Sequence, residues 1–214
     1  MHIVPKVLLG LLAVLGLAWV HTVAQTGWQG ALPWVVRQEV LNLSGVWSLA
    51  LMSFAMLLAA RPRWLEKPFG GLGGMYRAHR WAAVWAGVFA GVHWFAKEIA
   101  GSWLASAIGK EGKVSREKFD GIWGSLQHLA KDMGEWAFYL LLLMLLLSLW
   151  RRFPRRPWRY LHRLMPLLYL ALVFHALLLA PTAWWRAPFG ALLGLCLLAG
   201  CYGALLSLSG RIRR

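Results

Sequence analysis

The chain has 214 residues, of which 59% are apolar and only 14% are charged, and it contains 15 tryptophans. This composition is typical of an integral membrane protein and excludes an intrinsically disordered chain. The net charge of +15 does not indicate nucleic-acid binding, because the basic residues are spread over short segments between apolar runs.

Six apolar runs follow one another along the chain, separated by charged or turn-forming residues. A helix needs about 20 residues to cross about 30 Å of hydrocarbon, and each run reaches that length alone or with its aromatic flanks. We predict an all-α integral membrane six-helix bundle formed by residues 1–214 as a single domain. The predicted spans are about 3–23, 43–60, 78–97, 134–150, 160–180 and 187–208.

The basic residues predict how the bundle is oriented. Segments 61–80, 151–163 and 211–214 contain five, six and three basic residues, and together with Lys6 they are opposed by one acidic residue, Glu66. All of these segments fall on the same side of a six-span chain, so the positive-inside rule places both termini in the cytoplasm, in what we interpret as a bacterial inner membrane. A cleaved signal peptide is the alternative interpretation of the first span.

The segment 97–135 is predicted to be an outer loop. It contains six basic and six acidic residues, and its charges therefore balance. We expect a solvated loop with one amphipathic helix at about 119–129. The two cysteines, Cys196 and Cys201, lie five residues apart in the last span, a spacing that matches neither a metal site nor a CxxC pair, and we interpret them as small core residues.

The third span contains two histidines in an otherwise apolar run that reads MYRAHRWAAVWAGVFAGVHWF. His79 and His93 are fourteen positions apart, so on an ideal helix they lie within about 40° of each other and about 21 Å apart along the axis. The face between them offers only small side chains, namely Ala82, Ala83, Ala86 and Ala90. Small residues are also typical of close helix packing, but packing does not account for an imidazole at each end.

The fifth span repeats this arrangement with His162 and His175, thirteen positions and about 20 Å apart. Both spans run outward from the cytoplasm, so we predict that His79 and His162 lie at one depth and His93 and His175 at another. Thirteen steps rotate His175 about 140° away from His162 on an ideal helix. The span must therefore bend or unwind, and Pro166 supplies a cause, because its ring clashes with the carbonyl of His162.

Two pairs of imidazoles at two depths are suited to hold two planar haems stacked across the membrane. The alternative is that these histidines are core residues hydrogen-bonded to neighbours. A zinc or copper site is disfavoured, because no Cys, Asp or Glu accompanies them. We assign no role to His2, His21 and His128.

Each predicted cytoplasmic-side histidine is followed by an arginine, Arg80 or Arg163. These arginines are candidates for pairing with haem propionates. The alternative is that they only extend their charged ends to the membrane surface.

Six spans, four histidines with these spacings and the basic stretch WRRFPRRPWRYLHR together resemble the ferric reductase-like transmembrane domain of NADPH oxidases and iron reductases. The resemblance covers nearly the whole chain. It implies that His79 and His162 bind an inner b-type haem, that His93 and His175 bind an outer one, and that no residue of this chain is catalytic.

The function implied by this resemblance is that of an oxidoreductase component, which carries electrons from a cytosolic flavin to an extracytoplasmic acceptor such as ferric iron or oxygen. The family's FAD- and NAD(P)H-binding dehydrogenase module is not recognisable here, because the glycines of PFGGLGGMYR lack the third glycine of GxGxxG and a surrounding βαβ unit. We expect that module on a missing portion or on a separate flavoprotein partner, without which the chain is inactive.

Two other functions stay open at this point. The chain length also resembles that of the haem-binding membrane subunit of the bacterial methionine sulfoxide reductase system. A hypothesis from a different class is a non-redox membrane transporter that uses intramembrane histidines for proton or metal-ion movement.

Overall fold

The computed structural model describes residues 3–27, 30–115, 117, 119–150 and 152–210. His2, Arg151 and the basic residues at 211–214 lie outside the described residues. The structure is all-helical, and no β-strand occurs in the described part of the chain. The elements are α1 (Ile3–Thr26), α2 (Leu32–Ala59), α3 (Arg63–Glu66), α4 (Leu72–Ile108), α5 (Gly121–Leu149), α6 (Arg155–His162), α7 (Met165–Leu179), a 3-10 turn (Thr182–Trp185) and α8 (Phe189–Leu208).

Among the described residues, five helical stretches are long and apolar enough to cross a membrane, and the chain is accordingly an integral membrane protein. They are Ile3–Thr26, Leu32–Ala59, Gly121–Leu149, Arg155–Leu179 and Phe189–Leu208. The helix α4 has 37 residues, or about 55 Å of rise, but its histidines, tryptophans, glycines and four charged residues make it less apolar than the others. The sixth crossing therefore stays a prediction.

The structure corrects the predicted outer loop 97–135. The helix α4 continues to Ile108 and α5 already begins at Gly121, so helix replaces most of the loop and the predicted amphipathic segment becomes the first turns of α5. Charged residues do not end these helices because they pair within and between them. The Lys97 ammonium lies 2.7 Å from Glu98 and 3.3 Å from Glu135, and the second contact joins α4 to α5.

Helix α2 forms the centre of the bundle and packs along both α4 and α8. On α4, Ala78, Ala82 and Ala86 are completely buried, and the Ser48 hydroxyl of α2 donates a hydrogen bond to the Ala86 carbonyl at 2.9 Å. Two of the alanines between His79 and His93 therefore serve close packing of α4 against α2, as small residues commonly do in membrane helices.

The fifth predicted span is broken directly after its first histidine. The helix α6 ends at His162 and α7 begins at Met165, with Pro166 in its first turn. Two backbone hydrogen bonds that span three residues instead of four end α6. They join Arg163 N to Tyr160 O at 3.2 Å and Leu164 N to Leu161 O at 2.9 Å. The break lies where the sequence places the distortion, and it decouples the direction of His162 from that of His175.

Candidate functional site

Two pairs of histidines face each other between α4 and the α6–α7 segment. The ring centres of His79 and His162 are 6.0 Å apart, with planes inclined by 81°. The ring centres of His93 and His175 are 6.4 Å apart, with planes inclined by 80°. These are the two pairs predicted from depth along the helices, and the ring planes within each pair are nearly perpendicular.

Three of the four imidazoles are anchored to backbone carbonyls through Nδ1. The Nδ1 atoms lie 2.9 Å from Ala55 O for His79, 2.8 Å from Leu41 O for His93 and 2.7 Å from Ala130 O for His175. A carbonyl oxygen can only accept, so in each case Nδ1 carries the hydrogen. In the neutral ring Nε2 then carries the lone pair, and this is the tautomer that a metal ion binds.

Helix α2 provides the acceptors for both histidines of α4. Leu41 and Ala55 are fourteen residues apart, which is the spacing of His93 and His79. The chain order of the acceptors is the reverse of that of the donors, so α2 and α4 run antiparallel with matched spacing. The acceptor for His175 comes from α5 instead.

His162 differs from the other three. Its Nδ1 is buried and has no hydrogen-bond partner among the described residues. Its ring instead packs against the Trp158 side chain of the same short helix, with ring centres 4.9 Å apart. A buried polar atom without a partner is rare in a native structure and marks this position as one where a group or water belongs.

A cavity of ≈ 600 Å³ opens at the pair formed by His93 and His175. Its lining includes His93 and His175, apolar side chains from several helices, and a group of polar residues that includes Gln38, Glu39 and Lys97. A cavity of this size that combines apolar walls with a few polar groups is typical of a cofactor site.

The spacing within each pair fits one metal ion held between two imidazoles. An imidazole nitrogen binds a metal at about 2 Å and the ring centre lies about 1.1 Å behind it, which puts two opposed ring centres about 6 Å apart. Both pairs have this separation. No group of three or more His, Cys, Asp or Glu side chains that could hold a metal ion occurs in the described part of the chain, so the histidines associate only as pairs.

The two candidate propionate-binding arginines are exposed. The guanidinium of Arg163 lies over the Tyr160 ring at 5.3 Å from its centre. Arg80 lies one residue after His79 on the exposed side of α4. Their role toward a haem, like the role of the four histidines as ligands, stays a prediction.

Sequence reasoning missed the partners of the histidines. The acceptors at Leu41, Ala55 and Ala130 are backbone carbonyls, which every residue has, so no residue type reveals them. A weak signal was available in Gly45 and Gly134, because a glycine inside an apolar membrane helix usually marks a close approach of another group. Gly45 lies against the imidazole of His93, and Gly134 lies against that of His175.

Comparison with known proteins identifies the family. A search of curated proteins found no match. The model of the family described as ferric reductase like transmembrane component matches residues 44–173. The match covers well over half of the chain and includes His79, His93 and His162, and it ends two residues before His175. The chain therefore belongs to the ferric reductase-like transmembrane component family.

Proposed function

We propose that the chain carries electrons across the membrane through two b-type haems, each held between two histidines. His79 and His162 would hold the inner haem, and His93 and His175 the outer one. The observation that carries the proposal is the pair of imidazole couples at two depths, each with the separation that one metal ion requires. Membership of the ferric reductase-like family supports the same conclusion.

The chain's own residues explain why such a site favours electron transfer over ligand chemistry. Two imidazoles would hold each haem, which would supply a one-electron couple and leave no place for a further ligand. Hydrogen bonds to backbone carbonyls hold three of the rings in the binding tautomer and fix their rotation.

Two sites are needed because of distance. The two histidines of α4 are separated by about 21 Å of helix rise, about two-thirds of the hydrocarbon thickness. One haem would not cover that span, whereas one haem at each histidine pair would shorten the distance that an electron has to cross. We propose a cytosolic flavin, bound by a dehydrogenase module or a flavoprotein, as the donor on the inner side and an extracytoplasmic acceptor on the outer side.

The proposal is tested by the haem content and spectra of the purified full chain, expressed with ample haem. We expect about two haems per chain by pyridine haemochrome, a low-spin b-type absorbance spectrum, and strongly anisotropic low-spin EPR signals. The anisotropy follows from the nearly perpendicular ring planes, which leave two iron d orbitals close in energy. A folded protein without haem would refute the proposal and favour the transporter. One haem per chain would refute the two-haem conduit and favour the methionine sulfoxide reductase subunit.

Replacement of single histidines tests the pairing. We expect His93→Ala and His175→Ala each to remove the outer haem and to spare the inner one, so haem content falls by about half. We expect His79→Ala and His162→Ala each to remove the inner haem and to spare the outer one. His128→Ala is the matched control, because that side chain is exposed on α5. The pairing is wrong if a ligand variant keeps both haems with their bis-histidine spectra.

A further inference from the structure

Two glycines lie against the imidazoles of the outer pair. A Cβ atom added to Gly45 would lie 2.8 Å from Nδ1 and 3.1 Å from Cε1 of His93. A Cβ atom added to Gly134 would lie 2.1 Å from Nδ1 and 2.3 Å from Cε1 of His175. Both distances to Nδ1 are shorter than a real Cβ atom allows, so an alanine at either position would push the ring.

Each glycine has the same relation to the carbonyl that accepts the hydrogen bond. His93 bonds to Leu41 O, four residues before Gly45, and His175 bonds to Ala130 O, four residues before Gly134. Side chains on a helix tilt toward its N-terminus, so the residue at i+4 stands over the carbonyl of residue i. At these two positions the imidazole occupies the space that a Cβ at i+4 would fill.

We infer that Gly45 and Gly134 are positioning residues for the outer haem. They admit the rings of His93 and His175 to the carbonyls and thereby fix the tautomer, the rotation and the basicity of both axial ligands. The inference rests on the proposed function, since it concerns ligands of the outer haem. The inner pair is built differently, because His79 reaches Ala55 O at 2.9 Å beside Ala59, which has a Cβ, and His162 Nδ1 has no partner among the described residues.

The alternative is that these glycines serve only helix packing. Glycine is less favourable than alanine in a helix interior, so Gly→Ala at an open site is expected to stabilise the helix. Gly91 supplies such a site, because nothing lies within 4 Å of a Cβ added there, although it is only two residues from His93. It is the matched control for a change in α4 close to the outer pair.

The experiment compares Gly134→Ala, Gly45→Ala and Gly91→Ala in the full chain loaded with haem, by EPR and by potentiometric titration of both haems. An imidazole that donates from Nδ1 is a more basic ligand and stabilises ferric iron. Loss of that bond should therefore raise the midpoint potential of the outer haem and change the anisotropy of its EPR signal. The inner haem is the internal reference and should keep its potential and its signal.

The distances predict an order among the variants. Gly134→Ala needs a displacement of about an ångström and should alter or remove the outer haem, whereas Gly45→Ala needs a few tenths of an ångström and should cause a smaller change in the same direction. Gly91→Ala should match the wild type. If the Gly134→Ala protein does not accumulate in the cell, the outer haem of the Gly45→Ala variant tests the inference.

The inference is overturned if the outer haem is unchanged in the Gly134→Ala and Gly45→Ala variants, or if both haems change equally. Failure of the proposed function gives a different result, because the wild-type protein would then not contain two haems per chain, before any glycine is replaced.

Discussion

At the scale of single residues, the four histidines could be predicted from the sequence because an imidazole in an apolar run is costly and needs a reason. Their environment could not. The atoms that orient His79, His93 and His175 belong to the backbone of α2 and α5, and only the packing of helices distant in sequence brings them there. The missing partner of His162 was equally invisible, since it depends on how α6 ends.

Tyr169 shows how a residue without a predicted role stabilises the site's framework. Its side chain is completely buried in α7, its hydroxyl lies 2.8 Å from the Ser53 hydroxyl and 3.3 Å from Leu197 O, and it therefore joins α7 to α2 and α8. A Cβ on Gly200 would lie 2.1 Å from that hydroxyl, so α8 leaves room for it.

We expect Tyr169→Phe to lower the stability of the bundle without changing the haem spectra. Ser53 would still donate to Leu49 O at 2.8 Å, so the loss is limited to the tyrosine's own bonds, about 1 kcal/mol. Unfolding of the detergent-solubilised protein by SDS measures this difference. Tyr202→Phe is the control, because Tyr202 is 57% exposed on the same bundle and should change nothing. Equal stability of the two variants would show that the Tyr169 hydroxyl does not stabilise the contact.

At the scale of helices, the sequence predicts which segments are helical better than where they end. Helix α4 extends past Lys97 and Glu98, where the Lys97 ammonium pairs with both Glu98 and Glu135, a compensation that hydropathy does not detect. The break between α6 and α7 could be anticipated, because Pro166 and the thirteen-residue spacing of the histidines both required a distortion there.

Pro166→Ala tests whether this break serves the inner pair. An alanine removes the clash with the His162 carbonyl and allows α6 and α7 to form one continuous helix, which would turn His162 about 140° away from the direction of His175. We expect loss of the inner haem and retention of the outer one, measured by haem content and EPR.

Pro33→Ala is the matched control, because Pro33 also lies in the first turn of a helix but no helix runs directly into it. It should leave both haems in place. If Pro166→Ala also keeps the inner haem with its full occupancy, the connection between α6 and α7 stays broken for reasons other than the proline.

At the scale of the whole molecule, an all-helical membrane protein followed directly from composition, whereas the number of crossings did not. Five helices satisfy length and apolarity, and the sixth crossing depends on α4. That helix is less apolar because it carries His79 and His93 as well as charged residues near both ends of the predicted span, so the histidines of the candidate site weaken its membrane signal.

The location of the termini distinguishes five crossings from six. With α4 across the membrane both termini are cytoplasmic, as the basic segments predict. We therefore expect a fluorescent protein fused to either terminus to fluoresce and alkaline phosphatase fused to either terminus to be inactive. Phosphatase inserted after Gly112, between α4 and α5, should be active and serves as the control for the outer side. Termini on opposite sides would exclude the six-span arrangement.

The matched spacing of α2 and α4 has a consequence for how the sequence can change over evolution. Both helices advance by the same rise per residue, and the donors at His79 and His93 meet acceptors exactly as far apart on α2. A single-residue insertion or deletion between the histidines would preserve one hydrogen bond and move the other by about 1.5 Å with a rotation of about 100°. Length changes in this part of the chain are therefore tolerated only as compensating pairs, one in each helix.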